Sequence, residues 1–439
     1  MPLAEGVSIK ATAWGSQVLG YQIWRVAGLH GLQVLHGVLM GCIAFVLMSV
    51  IENRTRNWLA SLLGLLIAGA SAYHQICILR PQLAGMLCFT ILLWLLERPA
   101  ISQRGLISVA VLFVGWANLH PSFPAGLILI LLYFFGSVPS EWNKSGSINE
   151  TFRAERTQQI LILLAVASLA SCINPYGISL HFETITVSAN PNLRDLLDWK
   201  PLRLGTRQGR NALLISLVVL PVLWRARRQI ATTDLVVFVI TGIATLLTSR
   251  MINWWAPITG LMFRTHVLQK PSVAHNAKPS NWPVRTIAAC CILIAIAASS
   301  LPRAIRFREP ASMRDVVSRA TPIELAPRAI ELTTSGLIWC PNTWGDYLTW
   351  LSHGTAPVFC TSHVHVVPRD VWLDYRAIST GEHDCLEVLD QRGITTVLVG
   401  RRRQRLIKRL RESASWQLVE SSTRANIFQR APRIKKGLP

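Results

Sequence analysis

The stretch "GLISVAVLFVGWANLHPSFPAGLILILLYFF" (Gly105–Phe135) is a long apolar run that is interrupted only at its centre. The interruption, "WANLHPSF" (Trp116–Phe123), places asparagine, histidine, proline and serine between two runs that are typical of membrane helices. Inside a bilayer the backbone must satisfy its own hydrogen bonds, so irregular polar segments need cover from protein or water. The stretch therefore predicts two membrane helices joined by a sheltered polar turn.

The composition of the whole chain agrees with a membrane protein. Of 439 residues, 51% are hydrophobic and 15% are charged, whereas a soluble domain has about 25% charged residues. The net charge of +21 fits nucleic-acid binding, attraction to anionic lipids or the loop charges that set membrane topology. For a chain with many apolar runs the third explanation is the default.

Apolar runs bounded by charged residues predict about ten membrane segments. They are Gly31–Ile51, Trp58–Leu79, Leu83–Leu96, Gly105–Ala117, Pro124–Val138, Gln158–Ser171, Asn211–Trp224, Ala231–Ser249, Ile252–Phe263 and Val284–Leu301. Several are shorter than the roughly 20 residues of a full span, so these must be tilted, half-inserted or re-entrant. The sequence has no Walker-type phosphate loop, GxSxG elbow or HExxH helix, which disfavours ATP-driven transporters and hydrolases of those types.

Positive charges are unequally distributed between the two sides of these segments. If Glu52–Asn57 faces the cytoplasm, the connections on that side carry Arg54, Arg56, Arg98, Arg104, Lys144, Arg153, Arg156, Arg225, Arg227, Arg228, Arg264, Lys270, Lys278 and Arg285. The short connections on the other side carry Arg80 and Arg250. Because cytoplasmic loops carry the excess of lysine and arginine, both chain ends are predicted to lie outside.

Polar motifs collect on the predicted outer side. They are "RPQ" (Arg80–Gln82), "WANLHPSF", "NPYG" (Asn174–Gly177), "DLLDWKP" (Asp195–Pro201) and "SRMINWW" (Ser249–Trp255). Polar groups at membrane depth persist where protein or water covers them. Their common side predicts one shared cavity that opens outward.

After Leu301 the sequence takes on the pattern of a soluble α/β domain. Four strands are predicted at Gly336–Cys340, Ala356–Cys360, Thr395–Gly400 and Trp416–Glu420, with helices at "WGDYLTWLS", "RDVWLDYRAI", "DCLEVLDQRG" and "RRRQRLIKRLRES". The predicted organisation is an outer-side amphipathic or loop segment over residues 1–30, a transmembrane helical domain over 31–302, and an extracytoplasmic α/β domain with a basic tail (Arg433–Pro439) over 303–439.

Three sets of residues on the predicted outer side are open to more than one interpretation. Asn118 and His120 either cap the ends of the two helices or present donors to an anionic group in the cavity. Arg80 either extends to the membrane interface or binds phosphate with its planar guanidinium. Asp195 and Asp198 are three residues apart and could share one face of a helical turn, as a metal site, a general base or a surface pair.

The C-terminal region raises three further alternatives. His363, His365, His383 and Cys385 suggest zinc, although their spacing matches no closed zinc pattern. Cys340, Cys360 and Cys385 are compatible with a disulfide in an oxidising compartment. The basic run Arg401–Arg411 predicts a solvated helix with one packed face, with contact to anionic lipid as the second possibility.

In their order along the chain, these motifs resemble a family. "RPQL", "WANLHPSFPAG", "NPYG", "DWKP" and a C-terminal series from "NTWGDYLTWL" to "WQLVESSTRANIFQR" resemble a bacterial family of polytopic proteins related to the GT-C membrane glycosyltransferases. Members of that family typically read W-x-N-x-H-G where this chain has Trp116, Asn118, His120 and Pro121. The resemblance covers nearly the whole chain, and it implies a mainly α, GT-C-like helical bundle in the bacterial inner (cytoplasmic) membrane.

The resemblance implies transfer of a sugar from a polyprenyl-phosphate-type donor to a glycan, lipid or protein acceptor on the outer face. Such enzymes use an acidic residue of the first outer loop as catalytic base or metal ligand, so a divalent metal is a candidate cofactor. The family's acid near its W-x-P motif corresponds to Asp198, the candidate catalytic residue. The candidate donor-phosphate ligands are Arg80, Asn118, His120, Lys200 and Arg250.

The chain also departs from the family pattern. Thr12–Leu35 resembles the end of the first outer loop, so the preceding helix and its acidic motif are expected to be absent, through a truncated start or in an inactive copy. Glu5 is a poor substitute because it is so close to the end. In the C-terminal domain, Thr361, Ser362 and His363 replace the family's Asp-Gly-Arg.

Two other classes of function therefore stay open. One is a non-catalytic envelope membrane protein or transporter whose outer domain binds a glycan or a partner. The other is a basic DNA-associated membrane protein, which would require the C-terminal domain to be cytoplasmic. The loop charges oppose the second class, so nucleic acid is not an expected partner.

Overall fold

The computed structural model describes residues 10–431 except Arg56, Pro99, residues 268–281, residues 299–312 and Arg319. The predictions for Glu5, Arg56, Lys270, Lys278 and Arg433–Pro439 lie outside the described residues, as do the side chains of Arg264 and Arg285. Contacts divide the chain into two units. The membrane unit is Ala11–Thr186 with Leu196–Ala311, and the C-terminal unit is Met1–Lys10, Val187–Asp195 and Ser312–Pro439.

The membrane unit is built from helices. They are α1 (Trp14–Thr55), α2 (Trp58–Ile76), α3 (Gln82–Leu96), α4 (Gln103–Leu119), α5 (Phe123–Ser145), α6 (Ile148–Arg153), α7 (Glu155–Ala170), α8 (Ser179–Ala189, whose last residues belong to the C-terminal unit), α9 (Arg207–Ala226), α10 (Thr232–Leu247), α11 (Ile252–Val267) and α12 (Trp282–Ala298). Each of the ten predicted membrane segments overlaps one of these helices.

The helices have the lengths and surfaces of an integral membrane protein. Four of them, α1, α2, α5 and α9, are long and apolar enough to cross a bilayer, and α3, α4 and α10 are shorter apolar helices. Large apolar side chains face outward, including Val111 at 67% exposure and Leu217 at 62%. Water would penalise such a surface, whereas lipid accepts it.

Aromatic side chains and close helix crossings form the interior of this unit. Phe89, Phe113 and Trp116 are almost completely buried. Helices α2 and α11 cross at two glycines, where a Cβ atom on Gly64 would lie 2.7 Å from the carbonyl oxygen of Gly260. Small residues allow this approach of two backbones, which strengthens van der Waals packing in a membrane.

Helix α1 is broken at Gly28. This residue has φ 55° and ψ −147°, a conformation that side-chain-bearing residues avoid. Trp14–Ala27 therefore forms a separate helical arm before the long apolar segment that contains the predicted span from Gly31. Most of the described part of the predicted 1–30 segment is helical.

A cluster of charged groups joins four helices of the membrane unit. Arg54, near the end of α1, donates from Nη2 to Glu97 at 2.7 Å and from Nη1 to Asp234 at 2.9 Å. Glu97 directly follows α3, and Asp234 lies in the first turn of α10. The hydroxyl of Tyr133 in α5 also donates to Glu97. One guanidinium thus bridges carboxylates from two helix ends, and the Tyr133 hydroxyl from α5 completes the cluster.

The C-terminal unit is a small α/β domain, as predicted. Its elements are α13 (Met313–Val316), α14 (Ala326–Leu332), β1 (Leu337–Trp339), α15 (Asn342–Leu351), α16 (Arg369–Thr380), α17 (Cys385–Gln391), β2 (Ile394–Gly400), α18 (Gln404–Glu412), β3 (Trp416–Ser421) and β4 (Ala425–Arg430). The sheet order is β1-β2-β4-β3, with β1 parallel to β2 and the other pairs antiparallel.

Two strand predictions in this domain differ from the structure. The predicted strand Ala356–Cys360 is wrong: it forms a single bridge, between Val358 and Ile338, and Pro357 cannot donate a ladder hydrogen bond. Strand β4 was not predicted, although it pairs with both β2 and β3. The four predicted helices are confirmed as α15, α16, α17 and α18.

Candidate functional site

The stretch "WANLHPSF" is the turn between α4 and α5. His120 follows the last residue of α4 in an extended conformation, and its backbone N–H donates to the carbonyl oxygen of Trp116 at 2.9 Å. Helix α5 then begins at Phe123, with Pro124 in its first turn, where a proline costs no helical hydrogen bond. The prediction that His120 caps a helix end is confirmed for its backbone, which leaves its side chain free for another role.

Both polar atoms of the Asn118 side-chain amide form hydrogen bonds within the protein. Its Nδ2 donates to the carbonyl oxygens of Val114 at 2.7 Å and Ile173 at 2.9 Å. Its Oδ1 accepts from the indole Nε1 of Trp14 at 2.9 Å. Both amide hydrogens are therefore engaged, so Asn118 has none left to donate to a phosphate. Its contacts instead attach the N-terminal arm to the end of α4.

A chain of hydrogen bonds orients the imidazole of His120. The buried indole Nε1 of Trp116 donates to Ser122 Oγ at 3.0 Å, and Ser122 Oγ lies 2.7 Å from His120 Nδ1. The backbone N–H of Ser122 also donates to Nδ1, at 3.1 Å. Since Nδ1 accepts from this N–H, it carries no proton, and the proton of the neutral ring resides on Nε2. Within the described part of the chain, Nε2 has no hydrogen-bond partner.

Gly85 in α3 makes room for this chain. A Cβ atom there would overlap Ser122 Oγ and would lie 3.3 Å from both His120 Nδ1 and Trp116 Nε1. The Trp116 ring is confined from the other side by Gly126, where a Cβ atom would lie 3.0 Å from ring atom Cη2. Two glycines thus fix the plane of the tryptophan and the position of the serine.

His120 is neutral at physiological pH. Burial and the nearby positive charge of Arg250 lower the pKa of its imidazole to about 3. The residue retains 8% exposure. A neutral imidazole with Nε2–H at the edge of the fold is a hydrogen-bond donor that stays constant across the physiological pH range.

Arg250 links His120 to two more of the predicted site residues. Burial lowers the pKa of its guanidinium, with Asp198 opposing that shift and Arg80 adding to it. The guanidinium carbon lies 5.6 Å from the ring centroid of Trp199. Arg80 Nη1 lies 3.7 Å from Asp198 Oδ2, and these side chains are 46% and 41% exposed. Arg80 and Asp198 form an ion pair, and Arg250 lies close enough to both of them, and to His120, for the charges to influence one another's pKa values. We call Arg80, His120, Asp198 and Arg250 the outer cluster.

The outer cluster carries an excess of positive charge. It contains two guanidinium groups and one carboxylate, of which Arg80 and Asp198 form an ion pair, and the neutral His120 adds a donor without charge. An arginine can bind phosphate oxygens with two parallel N–H bonds, and the second arginine supplies further donors. The electrostatic character of the cluster suits an anion that approaches from the exposed side of Arg80 and Asp198.

Backbone hydrogen bonds hold the loop that carries Asp198. Ser249 Oγ donates to the carbonyl oxygens of Leu197 at 3.2 Å and Asp198 at 3.1 Å. The backbone N–H of Ser249 donates to the carbonyl oxygen of Lys200 at 2.9 Å. These bonds join the Asp198 loop to the Arg250 turn. The half-buried side chain of Lys200 makes no polar contact in the described structure, so its phosphate-binding role stays a prediction.

Asp195 and Asp198 do not form the predicted pair. Leu196, with φ −76° and ψ 143°, separates two short 3₁₀ turns, Leu193–Asp195 and Leu197–Trp199. The interpretation of a shared helical face is therefore wrong, because the helix is interrupted between the two carboxylates.

Asp195 is instead a structural residue of the C-terminal unit. It accepts hydrogen bonds from Arg369 Nη1 at 3.0 Å, Trp372 Nε1 at 3.0 Å and Arg376 Nη1 at 2.8 Å. Burial alone would raise the pKa of its carboxyl, but the three donors outweigh burial and lower it. Asn192 adds bonds to the carbonyl oxygens of Val364 and Val367, so the short segment is tied firmly to α16 and the turn before it.

The described residues contain no group of three histidine, cysteine or acidic side chains arranged to hold a metal. His363 directly precedes the 3₁₀ turn Val364–Val366 and His365 lies within it, so neither is on a strand, and their ring centroids are 6.1 Å apart. Cys340, Cys360 and Cys385 are buried free thiols. Asp198 is the one carboxylate that the structure places in the outer cluster, and a single carboxylate is a weak divalent-metal site.

Four residues of the site were missed by the sequence analysis. Trp14, Gly85, Ser122 and Trp199 contact or confine the predicted residues, but each is an ordinary residue in its local sequence. Ser122 was part of the quoted stretch and lies two residues after His120, a spacing that permits a local bond to the ring. Trp199 also belonged to a quoted stretch, "DLLDWKP", but was given no role there. Trp14 and Gly85 are brought in by tertiary packing, so the sequence offered no signal for them.

No family model matches the sequence, and no curated protein matches it either. Among solved structures, the archaeal oligosaccharyltransferase AglB from Archaeoglobus fulgidus, in complex with an inhibitory peptide and a dolichol-phosphate, is 12% identical with a TM-score of 0.42. That match covers 87% of this chain and 60% of the other. Arabinofuranosyltransferase AftD from mycobacteria is 14% identical with a TM-score of 0.47, covering 94% of this chain and 35% of the other.

The chain thus spans less than two thirds of either solved structure. At TM-scores below 0.5, neither likeness defines the site or the reaction of this chain. What the comparisons provide is a finding of similarity: this integral membrane protein is similar in structure to these two solved enzymes.

Proposed function

We propose that the protein is a glycosyltransferase of the GT-C-like class that takes a sugar from a polyprenyl-phosphate-type donor. The observation that carries the proposal is the outer cluster, which combines two arginines, a neutral histidine donor and one carboxylate. Arg80, Arg250 and the Nε2–H of His120 would bind the donor phosphate. Lys200 is a further candidate ligand, and Asn118 would act by positioning the turn.

The proposed reaction gives each residue of the outer cluster one role. The hydroxyl oxygen of a glycan, lipid or protein acceptor forms a bond to the anomeric carbon of the sugar, and the bond from that carbon to the phosphate oxygen breaks. Asp198 receives the hydroxyl proton as general base. The leaving phosphate gains negative charge in the transition state, where Arg80, Arg250 and His120 stabilise it.

The topology that we propose follows from the loop charges. The chain would reside in the cytoplasmic membrane of a bacterium, with the outer cluster and the C-terminal unit outside. A reporter fused after Arg430 should be active in the extracytoplasmic compartment. Activity of the fusion in the cytoplasm alone would reverse the topology and would favour the DNA-associated alternative.

Binding of a phosphate probe tests the role of the outer cluster. The full-length protein in detergent should bind radiolabelled polyprenyl phosphate, and Arg250→Gln should weaken binding by about tenfold or more, because a charge-assisted hydrogen bond contributes about 1.5 to 3 kcal/mol. Arg225→Gln is the matched control, since Arg225 is an exposed arginine in the last turn of α9. Equal affinity in the two variants would contradict the phosphate site.

Transfer of sugar tests the reaction. With a panel of polyprenyl-phosphate sugars, Arg80→Ala and His120→Ala should abolish transfer without loss of membrane insertion, and Asp198→Asn should do the same while phosphate binding persists. Retained activity in both alanine variants would contradict the assignment.

A second candidate function is a non-catalytic membrane protein that binds a lipid-linked or glycan ligand. The observation in its favour is that Asp198 already forms an ion pair with Arg80, so the one carboxylate of the outer cluster is engaged by a neighbouring side chain of the protein rather than free to contact an acceptor hydroxyl. Phosphate binding that depends on Arg250, together with no transfer by the unmodified protein from any donor of the panel, would favour this candidate.

A further inference from the structure

The surface around α18 is densely basic. Seven of the residues from Arg401 to Glu412 are lysine or arginine, and one is acidic. The buried face of α18 consists of Leu406, Ile407 and Leu410. The exposed basic residues, which we call the cationic surface, are Arg401, Arg402, Arg405, Lys408, Arg411 and Arg424.

Protein carboxylates leave most of this charge uncompensated. Lys408 Nζ lies 3.7 Å from the carboxylate of Glu412, in the same helix. For the arginines of the cationic surface, no acidic group of the described chain lies within ion-pair distance, and Arg401 has a hydroxyl, Ser421 Oγ, at 3.3 Å. Elsewhere in the same unit arginines are commonly paired, as Arg392 is with Asp370 and Asp374. The cationic surface therefore lacks the local neutralisation that the rest of the domain has.

An exposed apolar pair lies beside the cationic surface. Strand β3 is at the edge of the sheet, next to α18, and its side chains are exposed after Trp416. Leu418 and Val419 are 43% and 41% exposed. The register of β3 against β4 shifts between Leu418 and Glu420, so Val419 is an extra residue without a cross-strand partner. Exposed cations beside two exposed apolar side chains are the pattern of interfacial membrane binding.

We propose that the cationic surface binds the anionic headgroups of bilayer lipids, with Leu418 and Val419 entering the headgroup region. Guanidinium groups match the oxygens of a lipid phosphate, and each basic residue near an anionic membrane strengthens binding about fivefold. The bilayer is favoured over an acidic protein because the chain itself is anchored in the membrane, which keeps lipid at high effective concentration around the C-terminal unit. This proposal does not depend on the glycosyltransferase assignment.

Photocrosslinking of the full-length protein in nanodiscs tests whether the cationic surface binds anionic lipid. The photoreactive residue p-benzoylphenylalanine replaces Thr423, an exposed residue next to Arg424. The nanodiscs contain either phosphatidylcholine alone or equal parts of phosphatidylcholine and phosphatidylglycerol, and mass spectrometry identifies the adducts. We expect phosphatidylglycerol adducts in the mixed discs and a strong decrease at high salt, since exposed charges are then screened.

Charge variants provide the control. Arg402→Gln with Arg405→Gln should reduce the phosphatidylglycerol adduct by about twenty-fold, whereas Arg402→Lys with Arg405→Lys should keep it, because the charge is retained. Both pairs leave the buried face of α18 intact, and circular dichroism checks the fold. The proposal is overturned by equal adduct yields in the two kinds of disc, by no lipid adduct in either, or by adducts that the glutamine pair does not reduce.

Discussion

Replacing Gly85 by alanine tests the hydrogen-bond chain that orients His120. The new methyl group would overlap Ser122 Oγ and press on His120 Nδ1 and Trp116 Nε1, each 3.3 Å away. Ser122 can relieve the overlap by rotating, but rotation breaks its bonds at 3.0 Å to the indole and 2.7 Å to the imidazole. The alternative is for α3 to move away from the turn. Either response disturbs the position of the imidazole.

Three contributions set the expected change in the free energy of unfolding of Gly85→Ala. Leaving the buried indole N–H of Trp116 without an acceptor costs about 2 kcal/mol, and overpacking adds about 1 kcal/mol. Alanine regains about 1 kcal/mol over glycine within a helix. We therefore expect Gly85→Ala to lower the free energy of unfolding by about 2 kcal/mol.

The assay is unfolding in mixed micelles of increasing SDS content, followed by circular dichroism. Gly115→Ala is the matched control, since Gly115 lies in α4 and a Cβ atom there meets nothing within 4 Å. That variant should be as stable as the parent or about 1 kcal/mol more stable. Adding Ser122→Gly to Gly85→Ala should restore part of the loss, because the overlapping hydroxyl is gone. Equal stability of the Gly85 and Gly115 variants would refute the packing argument.

Three further predictions use the same unfolding measurement. Arg54→Met should lower the free energy of unfolding of the membrane unit by about 3 to 5 kcal/mol, because Glu97 and Asp234 are left partly buried without their cation. Glu97→Gln should lower it by less. A larger loss in Glu97→Gln than in Arg54→Met would contradict the role of Arg54 in this cluster. Asp195→Asn should destabilise the C-terminal unit by about 1 to 2 kcal/mol through loss of charge-assisted bonds, with Asp198→Asn as a control that leaves this unit unchanged. Because the folded-state pKa of His120 is about 3, below the ordinary value of 6.5, the unfolded chain binds the extra proton first. The free energy of unfolding should therefore fall by about 2 kcal/mol from pH 7.5 to pH 5. In His120→Gln this fall should be absent, and a fall of the same size in that variant would contradict the assignment to His120.

The apolar pattern alone predicted the membrane helices. Each of the ten predicted segments overlaps a helix, since a chain in lipid has few ways to satisfy its backbone hydrogen bonds other than helix formation. The helices of the C-terminal unit were equally predictable from the sequence, because each is amphipathic and its buried face shows as apolar residues at helical spacing. Strand β4 was missed because its four consecutive buried residues, Ala425–Phe428, have no alternating pattern that would mark a half-buried strand. It forms a hairpin with β3, which directly precedes it in sequence, and its other partner is β2.

The candidate site was only partly predictable from the sequence. The sequence grouped Arg80, His120, Asp198 and Arg250 on one side, and the structure brings these four together. It also grouped Asp195 with Asp198, although a break at Leu196 gives each carboxylate a different environment. Asn118 looked like a ligand, but carbonyl groups from α4 and from the turn after α7 use its donors.

For this protein, the sequence by itself determined which segments are helical and which residue types lie in the connections between them, because hydropathy and charge act locally along the chain. The tertiary structure alone decided the tautomer of His120, the space that Gly85 must leave open and the separate roles of Asp195 and Asp198. These features depend on contacts between segments far apart in sequence, at distances of a few ångströms that no local pattern encodes.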